Sequence, residues 1–476
     1  MKMRILGRFG AGLICVNLLT LLGGASASDR NVFSPELERV LDQTNNPVPV
    51  VVVLKPVAYL PEAFALELTA SQKERLIKSR AARSQSEIKA YVNQMVSVPT
   101  LQGEVSPMRR ILFLWGTNGF MATATPDVIE ELASFENVER IFLDRKIKLA
   151  PLNGEMVDGI NEEYTYGLEK IGVPEVRSMM PELNGRGVRV GIIDTGIDAA
   201  HPELRNKTKA WRDFTPDVKD KPYDDNGHGT HVAGTIAGSG VGGTQIGVAP
   251  GADLIIAKVF TRGGSATLSG ILRAMEWVAN PDGNPDTNDR PHVVNNSWGG
   301  GPSADVSKDP FNQAVVTWVQ LGIFPSFAAG NSGPSAETVG SPGCLPSAFA
   351  VGATDDSDRA ASFSSRGPVN IIVDGKRQRL VKPEISAPGV AVVSSMPGGR
   401  YAKLSGTSMA TPHVTGAIAL LYQLRPTLNI AEMRSILLNT AKDLGGDGHD
   451  TTFGAGRLNL VNAVRSIDSF DFGFED

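Results

Sequence analysis

The chain has 476 residues, 41% hydrophobic and 20% charged, with a net charge of −5. One hydrophobic core rarely organises more than roughly 250–300 residues, so a large domain and a smaller one are expected. Acidic and basic residues are mixed along the sequence, which offers neither a basic face for nucleic acid nor a polybasic patch for a membrane surface.

At the amino end, Lys2, Arg4 and Arg8 precede an apolar stretch from Ala11 to Leu22 and small residues ending in Ala25-Ser26-Ala27. This is the layout of a secretory signal peptide. The stretch falls short of the ~20 residues of a membrane span. Residues 1–27 are therefore expected to be removed and the product secreted, to a periplasm or the medium, with no stable membrane span. Cys15 lies in that leader, so the exported chain carries the single thiol Cys344 and no internal disulfide. A lone cysteine of this kind is read as a small packed hydrophobe. No Cys/His cluster and no His-Glu-x-x-His pair points to zinc.

Residues 28–150 read as a small domain. Val48 to Leu54 is a strand, and Leu68 to Met95 an amphipathic helix. Ile111 to Trp115 and Phe120 to Ala124 are strands around the turn Gly116-Thr117-Asn118-Gly119. Thr125-Pro126-Asp127 opens a helix to Phe135, and Val138 to Leu143 is a further strand. The result is a β-α-β-β-α-β, ferredoxin-like α+β pattern over residues 46–148. Residues 151–165 are polar and turn-rich and read as an exposed linker open to cutting.

From 166 to 466 strand-like runs (Val188 to Ile193, Asp253 to Phe260, Val293 to Ser297, Ile323 to Ala328) alternate with helical ones (His231 to Gly238, Thr267 to Ala279, Phe311 to Leu321). An α/β fold follows, a mostly parallel sheet with helices on both faces and functional groups at the carboxyl ends of its strands. Ala431 to Ala441 adds a late helix, and residues 467–476 form an acidic tail.

Four glycine-rich turns interrupt these runs. Asp194 ends Val190-Gly191-Ile192-Ile193; the bland reading is a turn cap, the chemical one a carboxylate held for a partner. Asp225-Asn226-Gly227-His228-Gly229-Thr230-His231 opens a helix. Two histidines three apart could ligate a metal, but no third ligand stands nearby, so His228 is read as a general base and His231 as packing on the helix. Asn331, in Ala329-Gly330-Asn331-Ser332-Gly333, either tolerates a left-handed turn or donates to an oxyanion. Ser408, in Gly406-Thr407-Ser408-Met409-Ala410, is a helix cap or a nucleophile. A Gly-x-Ser-x-Gly nucleophile elbow is excluded, because Ala410 stands where its second glycine belongs and His413 follows too closely on the same helix.

The four blocks around Asp194, His228, Asn331 and Ser408, in that order, resemble the signatures of the subtilisin-like serine proteases, the subtilases. Pro222 to Asn226, Val293 to Gly301, Ala348 to Asp355 and Lys382 to Gly389 are most similar to the bacillopeptidase F branch. The small domain resembles the prodomain of this family, an intramolecular inhibitor and chaperone. The resemblance implies a secreted serine endopeptidase, made as a self-processed zymogen, whose triad is Asp194, His228 and Ser408. Asn331 and the Ser408 N–H would form the oxyanion hole. Ser297, Trp298 and Gly299 on one side, and Gly264 and Ser265 on the other, would grip extended polypeptide substrates by their main chain. Ala328, Ala329 and Gly330, with Val339 and Gly340, would wall a P1 pocket of broad, apolar or mixed preference, Glu337 being the nearest acid in sequence. Residues 239–246 offer few calcium ligands and Glu203 stands where the family has an aspartate, so no metal is counted among the site residues and no cofactor is expected to be required, although the family can carry a structural calcium. A monomer is expected.

Overall fold

The computed structural model describes residues 32–61, 67–97, 106–152, 154–157, 162–301, 305, 309–373 and 376–471. The expected leader, residues 1–27, lies outside them, as do residues 472–476 of the tail. Val48 to Leu54 is apolar at every position because this strand is covered on both faces. Val50, Val52 and Leu54 pack against the helices of their own unit, while Val51 and Val53 join a second core shared with the rest of the chain.

The N-terminal unit contains α1 (Pro35–Leu41), β1 (Val48–Leu54), α2 (Ala70–Ser84), α3 (Ser86–Val96), β2 (Met108–Leu114), β3 (Gly119–Ala124), α4 (Pro126–Ser134) and β4 (Val138–Leu143). Its four strands pair antiparallel in the order β2-β3-β1-β4. The single helix expected from 68 to 95 is two. Gln85 interrupts it, and its buried side-chain amide donates to the carbonyls of Leu114 (2.8 Å) and Gly119 (3.3 Å). Helical periodicity continues through the break, so the pattern alone hides it.

The larger unit follows with β5 (Lys146–Lys148), β6 (Gly154–Val157), α5 (Tyr166–Ile171), α6 (Val173–Met179), β7 (Arg189–Asp194), β8 (Thr208–Asp213), α7 (His228–Ala237), β9 (Asp253–Lys258), β10 (Ser265–Thr267), α8 (Leu268–Ala279), β11 (Val293–Asn296), α9 (Asn312–Gln320), β12 (Phe324–Ala328), β13 (Phe349–Thr354), β14 (Val369–Val373), β15 (Lys376–Leu380), β16 (Ile385–Pro388), β17 (Val392–Met396), β18 (Arg400–Leu404), α10 (Thr407–Leu424), α11 (Ile430–Asn439) and α12 (Leu460–Asp471). Seven strands form one parallel sheet in the order β16-β13-β12-β11-β7-β9-β8.

Alternation along these strands sorts side chains between two layers. Val190, Ile192, Leu254, Ile256 and Val293 face α7 and α10, whereas Ile193, Ile255, Ala257 and Val294 face α8 and α9. Helices α8 and α9 in turn carry the N-terminal sheet, through Val51, Val53, Leu114 and Phe142. Because β7, β11 and β12 are neighbours, their carboxyl ends bring Asp194, Ser297 and the turn at Asn331 to one edge of the sheet. Among the described residues no helix is long and apolar enough to cross a membrane.

Candidate active site

Asp194 closes β7 and is fully buried. Burying a carboxylate is costly unless donors surround it. Its Oδ1 accepts the Thr195 N–H (2.7 Å) and stands 2.8 Å from His228 Nδ1, while Oδ2 has no partner among the described residues.

His228 opens α7 directly after Gly227, whose φ of +107° a side chain would strain. Asp224 holds this helix start: one carboxylate oxygen accepts the N–H groups of Asn226 and Gly227, the other the N–H and hydroxyl of Thr230. Burial on its own depresses the His228 imidazole. The charge of Asp194 and its hydrogen bond, with a further contribution from Asp224, outweigh that, and the net shift is upward. With Nδ1 committed to Asp194, Nε2 is the nitrogen left for proton exchange. His231 turns the other way, its Nε2 set between the carbonyls of Val392 and Ala402, and burial pushes it down to about 3. It is a packed neutral side chain, as the sequence suggested, and does not pair with His228 toward a metal.

Ser408 is the second residue of α10, so its N–H is among those that helical geometry leaves unpaired. Four residues on, Pro412 lacks the N–H that would normally bond the Ser408 carbonyl. The Ser297 hydroxyl fills that place at 2.9 Å, and the Ser408 hydroxyl donates back to the Ser297 carbonyl at 2.9 Å. The two serines are thus locked reciprocally across the gap between β11 and α10. In this rotamer the Ser408 hydroxyl points to Ser297 rather than to His228.

Asn331 is oriented by Thr407, whose N–H and hydroxyl both donate to its Oδ1 (2.9 and 2.8 Å). That commits the side-chain NH₂ to the open side, next to Gly406. Thr407 also accepts the N–H of Gly330, which sits at φ +108°. Asn331 and Ser408 share the wall of a cavity of 380 Å³ with Ser297, Trp298, Gly299, Ala328 and Gly330. Ala329, expected in that wall, is not in it: one step along the strand end it turns inward, fully buried, with its N–H on Val351 and its carbonyl on Gly340. Val339 and Gly340 are likewise displaced, and Thr338 takes their place. Glu337 is directed away, its carboxylate accepting from Asn370 of β14. Trp298 contributes main chain, since its ring is buried among Phe260, Phe311 and Phe327.

The chain is held just before the expected linker and again within it. Strand β5 pairs antiparallel with β10, Ser265 opposite Lys148, and the Leu149 N–H donates to Gly264 at 2.8 Å. Lys148, Leu149 and Ala150 then line the same cavity as Ser408. Beyond it, β6 pairs antiparallel with β18, Gly154 opposite Leu404.

Sequence reasoning missed three supports of this site. Lys258, fully buried, donates through Nζ to Thr195 O (2.5 Å), Asp225 (2.7 Å) and Phe260 O (2.9 Å), tying the Asp194 and His228 turns together. The signal was a charge closing the apolar run Leu254 to Ala257. Asp224 and Thr407 lie inside the quoted motifs, but their partners are set by the fold.

A family model described as "Subtilase family" matches residues 185–456. The chain is 35% identical to Bacillopeptidase F of Bacillus subtilis (strain 168) over 430 residues, 82% of this chain and 28% of that protein. It is 36% identical to Serine protease AprX of the same organism over 370 residues, 72% of this chain and 78% of the relative. Against Subtilisin E it is 38% identical over 314 residues, 65% of this chain and 74% of the relative. The chain therefore spans well under half of Bacillopeptidase F and about three quarters of the other two.

Proposed function

Because the chain belongs to the subtilase family of serine endopeptidases, we propose that it hydrolyses polypeptides through an acyl-enzyme formed on Ser408. In this mechanism the Ser408 hydroxyl leaves Ser297 and turns to His228 Nε2. The hydroxyl then attacks the scissile carbonyl as His228 accepts its proton, and Asp194 holds the imidazole in the required tautomer. The C–N bond breaks as His228 returns the proton to the leaving nitrogen. Water repeats the sequence in reverse to release the acyl group. The Asn331 NH₂ and the Ser408 N–H receive the oxyanion. Substrate lies extended between the Ser297-Trp298-Gly299 and Gly264-Ser265 edges, read by main chain. The cavity wall of Ala328, Gly330 and Thr338 supports a broad, apolar or mixed P1 preference. The observation carrying this reading is the buried Asp194–His228 contact of 2.8 Å at the sheet edge where Asn331 and Ser408 share one cavity.

Residues 28–150 serve as the prodomain, occupying the cleft until removed, with the product secreted and acting as a monomer. Supporting this, β5, the strand that follows β4 within residues 28–150, lies along the expected peptide edge at Ser265. We further propose that calcium at Glu203 is dispensable. Both of its carboxylate oxygens are taken by donors, the N–H groups of Gly240 (2.6 Å) and Gly242 (3.0 Å) and the hydroxyls of Ser239 (3.3 Å) and Tyr401 (2.9 Å). Such a carboxylate does not fit a calcium ligand set.

A fluorophosphonate probe tests the assignment. It should label the chain once the N-terminal unit is removed and should not label Ser408→Ala. A mature domain that binds peptides yet stays unlabelled would instead be a peptide-binding protein on this fold.

A further inference from the structure

Two ladders hold the chain, one before and one after the stretch that lines the cavity with Ser408. Upstream, the last hydrogen bond is from Leu149 N–H to Gly264 O. Downstream, pairing resumes where Gly154 lies opposite Leu404, four residues before Ser408 in the chain. Five residue steps separate Leu149 from Gly154, so the two anchors stand at most ~18 Å apart at about 3.3–3.6 Å per residue. The cavity lining on this strand stops at Ala150, beside Asn331 and Ser408. Ala150 is thus the residue of this strand assigned to offer its carbonyl to Ser408, and the bond beyond it ends on the nitrogen of Pro151.

We propose that Pro151 is a brake on self-processing: the clamp presents the Ala150–Pro151 bond to Ser408, and proline makes that bond slow to cut. This rests on the reading of Ser408 as the nucleophile and of residues 28–150 as the prodomain. Cleavage there forms the bond from Ser408 Oγ to the Ala150 carbonyl carbon and breaks the bond from that carbon to the Pro151 nitrogen. The serine's proton passes through His228 to that nitrogen, which leaves as a secondary amine. In an ordinary peptide the nitrogen carries a hydrogen and can turn its lone pair toward His228 as it pyramidalises. In proline a ring methylene takes that place and φ is fixed, so the same turn sweeps a carbon through a cleft held at both ends. The residue before it, Ala150, is also biased to extended geometry, which suits the inhibitory ladder. The N-terminal unit is thus a durable plug, and its release in the wild type starts with a cut at another bond by an already active copy.

The test follows intact mass and new amino termini over time in the full-length wild type, Pro151→Ala, and each with Ser408→Ala. Pro151 is exposed, so the alanine variant keeps the fold. Pro151→Ala is expected to cut itself after Ala150 at a rate independent of concentration, about 10²-fold faster than the wild type forms that terminus, the scale of a misplaced reacting group. Wild type is expected to be cut elsewhere, faster at higher concentration. Equal first-order cutting after Ala150 in both chains, or a Pro151→Ala cut at a different bond, overturns the brake. Fluorophosphonate labelling after protease removal of the N-terminal unit is read alongside. A labelled chain whose cutting ignores residue 151 sinks the brake alone, whereas an unlabelled chain sinks the enzyme reading with it.

Discussion

Replacing Ser297 by alanine should destabilise the larger unit through a carbonyl that α10 cannot satisfy for itself. The Ser408 carbonyl receives no helical N–H because residue 412 is proline, and the Ser297 hydroxyl is its donor. Removing that hydroxyl leaves the carbonyl unpaired at a cost of about 1–3 kcal/mol. The Asn295 NH₂ loses its acceptor as well, although Asn295 Oδ1 keeps Thr415. Pro412→Ala restores the missing N–H one turn along, so it should help the Ser297→Ala chain more than the parent. In a double-mutant cycle the pair should couple favourably by about 1 kcal/mol, within the usual range for groups sharing one partner. Urea unfolding of all four chains, each carrying Ser408→Ala to prevent self-digestion, measures it. Additive effects, within about 0.3–0.5 kcal/mol, would show that the Ser408 carbonyl does not depend on Ser297.

Asn331→Leu should lower kcat by about 10²–10³ with little change in KM, a magnitude taken over from subtilisin rather than worked from this site; steady-state kinetics on a peptide substrate decide it. Activity should fall as pH drops through a value above 6.5, because His228 is held up by Asp194 against its burial and must be neutral to accept a proton. Asp194→Asn should move that acid limb downward and reduce kcat by about 10⁴-fold, and an unmoved limb would assign it to another group. Glu276 of α8 accepts the Gly116 N–H at 2.8 Å where the two units meet, near Lys78 and Glu74, and burial raises it from 4.5 to about 7. Its contribution to holding the N-terminal unit is full below about 4.5 and lost as pH rises through about 7. Thermal unfolding of the Ser408→Ala chain from pH 4.5 to 8 should show this loss, and Glu276→Gln should flatten it. Lys382, buried with Nζ on Leu345 O, Ala348 O (both 2.9 Å) and Glu384 (2.6 Å), should cost about 1–3 kcal/mol when changed to methionine, since two carbonyls lose the Nζ donor while Glu384 keeps Arg434; a chelator, by contrast, should leave the parent's melting temperature unchanged.

What the sequence disclosed and what it hid divide along a physical line. The turns that carry Asp194, His228, Asn331 and Ser408 were legible because each interrupts an apolar or helical run at a glycine, and the backbone geometry there, as at Gly227 and Gly330, is local. The alternating strands gave the sheet for the same reason, since burial on both faces writes itself into composition. The partners of those residues were not legible. Gln85 breaks a helix to reach two carbonyls 29 and 34 positions away, and Glu337 swings to Asn370 rather than into the cavity. Ala329 and Ala328 differ by a single step at a strand end, where the pleat assigns one to the core and one to the cavity.

Pro412 stands between these cases. A proline inside an apolar helix is visible in the sequence, and elementary geometry says that the carbonyl four residues earlier has lost its donor. That carbonyl belongs to Ser408. A helix start that carries the proposed nucleophile and also lacks one of its own hydrogen bonds needs an outside group to hold it, and the chain supplies Ser297 from the neighbouring strand end. The main-chain carbonyl of the same residue accepts the Ser408 hydroxyl. The residue that fixes the helix therefore also parks the Ser408 hydroxyl, and the proposed mechanism requires the second bond to break while the first persists.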